Sequence, residues 1–132
     1  MDVTITQEKG LVPVTVVHVD GKTDSASADE FEKKVMEAID AGARHLVLDL
    51  GKVPYMSSAG LRVLQHVFDR LRSLSSDEND KEMYRQINDG SYASPNLKLI
   101  NPNKDVMEVL KMSGFDMLIS VEKDLKTAVA SF

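Results

Sequence analysis

Apolar and polar positions alternate at the start of the chain: Val3 and Ile5, then Val12, Val14 and Val16, with Gly10 between the two runs. A period of two puts successive side chains on opposite faces of a strand, so this stretch predicts an antiparallel pair joined near Gly10. After Gly21-Lys22-Thr23-Asp24 the period lengthens. Phe31, Val35, Ala38 and Ile39 share one face at helical spacing, and Ser27 followed three residues later by Glu30 forms a capping-box pattern. These features predict a helix over about residues 28–41, with Gly42 suited to the left-handed residue that ends it.

His45-Leu46-Val47-Leu48-Asp49-Leu50 is apolar on both faces at its centre, the pattern of an interior strand covered on both sides. Because it follows a helix, parallel pairing is expected. From Ser58 onward Leu61, Leu64, Val67, Phe68 and Leu71 repeat at three and four, while Arg62, Gln65, Asp69, Arg70 and Arg72 fall mostly on other faces. This is the pattern of an amphipathic helix. The segment from Ser73 to Ser94 has few branched apolar residues and a charge of 2 − 5 = −3, and it reads as an inserted, solvated acidic loop. Met83, Tyr84 and Ile87 within it can support a turn or two of helix.

Leu97-Lys98-Leu99-Ile100 predicts another strand, and Asn101-Pro102-Asn103 a turn into a helix carrying Val106, Val109 and Leu110, ended by Gly114. Met117-Leu118-Ile119 predicts a last short strand, and Glu122 to Phe132 a last helix with Leu125, Val129 and Phe132 on one face. The expected fold class is α/β: a mixed β-sheet of about five strands with about four flanking helices, in the order ββαβαβαβα. A length of 132 residues fits a single domain spanning 1–132, with the insertion at about 73–94.

Composition narrows the function. Sixteen Lys and Arg against 21 Asp and Glu give a net charge of −5, which offers little attraction to nucleic acid or an anionic membrane. Aromatic residues make up 5% of the chain, too few for repeated base-stacking platforms. The absence of cysteine excludes disulfides, thiolate metal sites and cysteine nucleophiles. Met1-Asp2-Val3-Thr4 does not resemble a secretory signal, and the apolar runs are far shorter than the roughly 18 to 20 residues of a membrane span. A cytoplasmic protein without direct nucleic-acid or membrane contact is expected.

The most informative stretch is Val53-Pro54-Tyr55-Met56-Ser57-Ser58-Ala59-Gly60-Leu61, between the buried strand and the second helix. Either serine can cap the helix by accepting an orphan amide, a contact worth about 1 kcal/mol. The same helix start also favours phosphate, because its unpaired amides carry partial positive charge. A nucleophilic role lacks its signature: GxSxG is absent, and His18, His45 and His66 fall in different elements. Phosphate-loop, dinucleotide, zinc-hydrolase and calcium-loop spacings are also absent, so no cofactor, metal or catalytic residue is expected.

Taken together, Gly21-Lys22-Thr23-Asp24, the His45–Leu50 run, Tyr55-Met56-Ser57-Ser58-Ala59-Gly60-Leu61-Arg62-Val63-Leu64 and Ser113-Gly114-Phe115 make the chain resemble a STAS domain of the bacterial anti-sigma-factor antagonists. That resemblance implies a switch without catalysis of its own. Alignment on Gly60-Leu61 places the family's phosphorylated serine at Ser58, with Ser57 the alternative. The resemblance further implies that the unphosphorylated chain binds an anti-sigma factor that is also a serine kinase, and that a PP2C-type phosphatase restores binding. Asp24 matches the family's acidic residue on the neighbouring loop, and the implied partner surface comprises Asp24, Ser57, Ser58, Ala59, Gly60 and Arg62. Two features depart from the pattern: Ser57 stands where the family usually has aspartate, and the 73–94 segment is longer than the usual connection. A non-switching STAS scaffold in a larger signalling or membrane-transport assembly is the alternative function. The oligomeric state is not legible.

Overall fold

The computed structural model describes residues 2–74, 80–90 and 94–132. Strands β1 (Asp2–Lys9), β2 (Pro13–Asp20), β3 (Leu46–Lys52), β4 (Leu97–Ile100) and β5 (Ser120–Glu122) form one sheet in the spatial order β1-β2-β3-β4-β5. The first pair is antiparallel, with Ile5 opposite Val17, and every later pair is parallel. The expected mixed sheet is therefore present.

Period-two patterning sorts the strands between two apolar layers. Val17, Val19, Leu46, Leu48, Leu50, Leu97 and Leu99 join the larger layer, which is completed by helices α1 (Ala28–Asp40), α2 (Ser58–Leu74) and α4 (Lys104–Ser113). Val14, Val16, Val47 and Ile100 point the other way, against Ala128 of the short helix α5 (Leu125–Ala130). Phe31, Val35 and Ile39 of α1 and Leu64, Val67 and Leu71 of α2 are almost wholly buried, as their helical spacing requires. Burying one such side chain contributes roughly 1.5 to 3 kcal/mol, so these faces account for the helices better than propensity does.

The last helix, expected from Glu122 to Phe132, is confined to Leu125–Ala130 because Glu122 still pairs with Ile100 in the sheet, and the chain differs from its sequence pattern in three further places. First, the Ser27–Glu30 capping box does not form: the Ser27 hydroxyl donates to the Lys22 carbonyl at 2.9 Å and accepts no helix amide. Asp24 does that work one turn earlier, its Oδ1 accepting from the Ala26 and Ser27 amides at 3.0 and 3.1 Å. Second, the expected loop at 73–94 contains a fifth helix, α3 (Asp80–Asp89), and α2 itself continues to Leu74. Met83 is buried and Ile87 half-buried against the larger layer, so two apolar residues four apart anchor a helix whose other faces are polar. Residues 75–79 and 91–93 of that segment lie outside the described residues. Third, Met117-Leu118-Ile119 is not a strand. Gly114, at φ +83°, closes α4, and Phe115–Met117 then forms a 3₁₀ turn, so pairing with β4 begins at Ser120. Phe115 and Ile119 are buried by this turn without belonging to the sheet.

Lys98 lies in the middle of β4, only 6% exposed, with its ammonium 5.3 Å from the centre of the Phe132 ring. Burial lowers its pKa below the ordinary 10.5, and the negative charge of Glu122 opposes the shift only in part. At neutral pH the lysine is charged in both folded and unfolded chains, so the desolvation cost is fully present. As pH rises through the folded pKa toward 10.5, the folded state loses its proton first and the cost disappears. Lys98→Met is therefore expected to raise stability at pH 7, with a gain that shrinks toward pH 10.5. Urea unfolding midpoints across that range check both the sign and the trend.

Candidate functional site

Two loops at the carboxyl ends of β2 and β3 are joined by their backbones. The Thr23 amide donates to the Tyr55 carbonyl at 3.0 Å, and the Ser57 amide donates back to the Thr23 carbonyl at 2.8 Å. This forms an isolated parallel bridge between Thr23 and Met56, and the Gly21 amide adds a bond to Lys52 at 2.9 Å. Asp24, the next residue after Thr23, is thereby held next to the start of α2. Thr23 and Met56 are almost wholly buried beneath the site.

Gly60 makes the contact close enough to work. A Cβ at this position would lie 2.6 Å from Thr23 Oγ1 and 2.8 Å from Met56 Cγ, distances that side chains do not adopt. The first turn of α2 thus rests directly on the Thr23 loop. Ala59 is buried beside it, whereas Arg62 is exposed one turn beyond Ser58 on the same helical face.

The two serines divide their duties. Ser57 precedes α2, its carbonyl accepts the Leu61 amide at 3.1 Å, and its Oγ faces the Gly60 amide at the long limit of 3.5 Å. It therefore holds the capping position. Ser58 is the first residue of the 17-residue helix, is exposed, and its hydroxyl has no hydrogen-bond partner among the described residues. No acidic residue occupies the first turn of α2, so the partial positive charge of the helix start is not neutralised from within the helix.

Asp24 is committed largely to its own loop. Desolvation acts to raise its pKa, but hydrogen bonds from Ser27 and Ala26 and the nearby Lys22 together outweigh it and hold the carboxyl below its usual range. The second oxygen, Oδ2, remains 4.0 Å from the exposed Lys22 ammonium. Asp24 is thus ionised at neutral pH and fixed in place, without a bond to either serine.

None of the histidines reaches these hydroxyls. His66 pairs with Glu32, and His45 stacks edge-on against Phe132 with ring centres 5.3 Å apart. His18 lies between Thr6 Oγ1 and Asp49 Oδ2, each 3.0 Å away, while Asp49 Oδ1 accepts from the Gly51 amide and Asn101. This polar ladder across the sheet was not visible from residue order, because its members come from strands far apart in sequence; Asp49 within a buried run was the available sign. Among the described residues no group of three His, Asp or Glu side chains is placed to hold a metal, and no helix is long and apolar enough to cross a membrane.

A model of the STAS domain matches residues 3–76, more than half of the chain. The chain is 32% identical over 112 residues to a protein of Bordetella bronchiseptica that carries the provisional name anti-sigma factor antagonist BtrV, covering 85% of this chain and 80% of that one. The fold is similar to that of an anti-sigma factor antagonist from Mycobacterium paratuberculosis, with a TM-score of 0.68, 18% identity and coverage of 96% and 91% of the two chains. It is also similar to the phosphorylated form of the Bacillus cell fate determinant SpoIIAA, with a TM-score of 0.57, 15% identity and coverage of 92% and 93%. The family-model match and the relative at this identity lead to one conclusion: the chain belongs to the STAS domain family.

Proposed function

We propose that this protein is an anti-sigma-factor antagonist acting in the cytoplasm as a substrate and switch. In its unmodified form it binds an anti-sigma factor that is also a serine kinase, through Asp24, Ser57, Ser58, Ala59, Gly60 and Arg62. Transfer of the γ-phosphoryl group of ATP to Ser58 ends that binding, and a PP2C-type phosphatase removes the phosphate and restores it. The chain supplies no catalytic group, metal site or cofactor to this cycle.

One observation carries the choice of residue: the Ser58 hydroxyl is exposed and unbonded at the first position of α2, while Ser57 takes the cap. A phosphate at Ser58 meets the free amides of the helix start, and Arg62 lies one turn away on the same face. The folded frame therefore accommodates the modification, and the added charge of about −1.5 to −2 falls on the surface that faces the partner.

The test is incubation with the anti-sigma kinase and ATP, followed by peptide mapping. Phosphate is expected on Ser58, with Ser58→Ala taking up at least 100-fold less and Ser57→Ala retaining most of the uptake. Modification confined to Ser57 would move the switch by one residue, and no uptake at all would favour a constitutive scaffold.

A further inference from the structure

A second feature borders the proposed switch. The Tyr55-Met56 segment and helix α4 enclose a groove of about 350 Å³ whose α4 side consists of Asp105, Glu108, Val109 and Met112. The spacing i, i+3, i+4, i+7 puts these four on one helical face, distinct from the face through which Val106 and Leu110 enter the core. Folding does not account for this face. Met112 is 82% exposed and Tyr55 54%, an outlay of large apolar surface in a position where a polar side chain would serve α4 equally well.

The groove has fixed walls. Asn103 caps α4 through the Val106 amide at 2.8 Å and, with its Nδ2, donates to the Val53 and Pro54 carbonyls at 3.3 Å each. The helix is thereby tied to the loop that continues through Ser57 into Ser58. A partner seated on Ser58 is therefore within one short segment of Tyr55.

We propose that this groove is a second contact for the anti-sigma factor, an inference that rests on the function proposed above. It receives one large apolar side chain of that partner, flanked by lysine or arginine. The apolar anchor follows from Tyr55, Val109 and Met112, and the volume lies at the lower end of what a bound group requires. The basic flank follows from Asp105 and Glu108, neither of which makes an ion pair among the described residues. Two carboxylates at the edge of an apolar slot select for a cationic neighbour and set the salt dependence of the encounter. Ser58 is not among the residues that line the groove, so the groove confers partner choice, whereas Ser58 confers switching.

The probe is the purified anti-sigma kinase that phosphorylates this chain, titrated calorimetrically against four variants of the full chain at low and high salt. Met112→Ser is expected to weaken binding about 10-fold, and Asp105→Lys combined with Glu108→Lys at least 30-fold, with the larger loss at low salt. Met117→Ser, an exposed methionine outside the groove, is expected to bind as the unaltered chain does. Circular dichroism melting confirms that each variant is folded. Undiminished binding by the groove variants, with Ser58→Asp still losing it, would overturn the groove and leave the switch standing. Weakened binding by the groove variants with Ser58→Asp unaffected would retain the groove and remove the switch. Self-association of the unaltered chain in sedimentation, abolished by Met112→Ser, would assign the groove to a second copy and overturn the proposal.

Discussion

Ser58→Asp is expected to lower affinity for the anti-sigma kinase about 100-fold, or about 2.8 kcal/mol at 1.4 kcal/mol per tenfold change. The reason is geometric. A kinase that phosphorylates Ser58 must hold the γ-phosphate of ATP in line with its Oγ, and a carboxylate at that place meets the phosphate oxygens at close range. Like charges forced together in a desolvated contact cost several kcal/mol. The same substitution acts in the opposite direction on folding. An acidic residue at the first position of α2, which has none in its first turn, gains roughly 0.3 to 1 kcal/mol from the helix dipole. A more stable variant that binds less well cannot be explained by misfolding, so calorimetric titration and thermal melting on the same samples decide the matter. Ser58→Ala, which loses only an unbonded hydroxyl, is expected to bind like the unaltered chain. Equal affinities for Ser58→Asp and the unaltered chain would leave the family scaffold without a switch at this residue.

Gly60→Ala is expected to destabilise the chain by about 2 kcal/mol, although alanine in place of glycine inside a helix ordinarily contributes up to about 1 kcal/mol. The added methyl group would sit 2.6 Å from Thr23 Oγ1 and 2.8 Å from Met56 Cγ. Thr23 cannot yield easily: its side chain is fully buried, and its amide and carbonyl hold the Tyr55 carbonyl and Ser57 amide. Either α2 lifts or the bridge between the loops breaks, and both displace Ser57 and Ser58 relative to Asp24. Combining Gly60→Ala with Thr23→Ala removes the nearest of the clashing atoms and should recover part of the loss, giving a coupling energy in a double-mutant cycle. A urea midpoint for Gly60→Ala at or above that of the unaltered chain would show that the loop accommodates the methyl group.

Much of this architecture was legible because the two hydrophobic periods are strong where burial is deep. The valines of β2, the apolar run of β3 and the repeat from Leu61 to Leu71 each had one sensible reading, and the chain folds accordingly, whereas the exposed strand β1 was legible from its alternation and the turn at Gly10 alone. Legibility failed where apolar residues are few or their partner is remote. Helix α3 offers only Met83 and Ile87 to the core, too sparse a signal against a polar, serine-rich background. Leu118 and Ile119 are apolar for the sake of the larger layer while Met117 is exposed, and sequence could not distinguish that from a strand. The capping box failed because the Ser27 hydroxyl is turned back into its own loop, where Oγ accepts the Asp24 amide at 3.0 Å and donates to the Lys22 carbonyl, instead of facing the helix amides.

The sequence by itself determined the mixed α/β order, the family resemblance and the position of two adjacent serines at a helix start, because these depend on local pattern and spacing. The family resemblance placed the modification at Ser58, with Ser57 the alternative, but by residue type either serine could cap the helix. Only the tertiary structure divided them, since capping depends on where the helix begins and on the Thr23 carbonyl that holds the Ser57 amide from a loop more than thirty residues earlier. It also gave Gly60 its reason, a close approach between two segments, and brought Tyr55 opposite Met112. Contacts of this kind are set by packing across the sheet ends, where residues distant in the chain become neighbours and no period in the sequence records it.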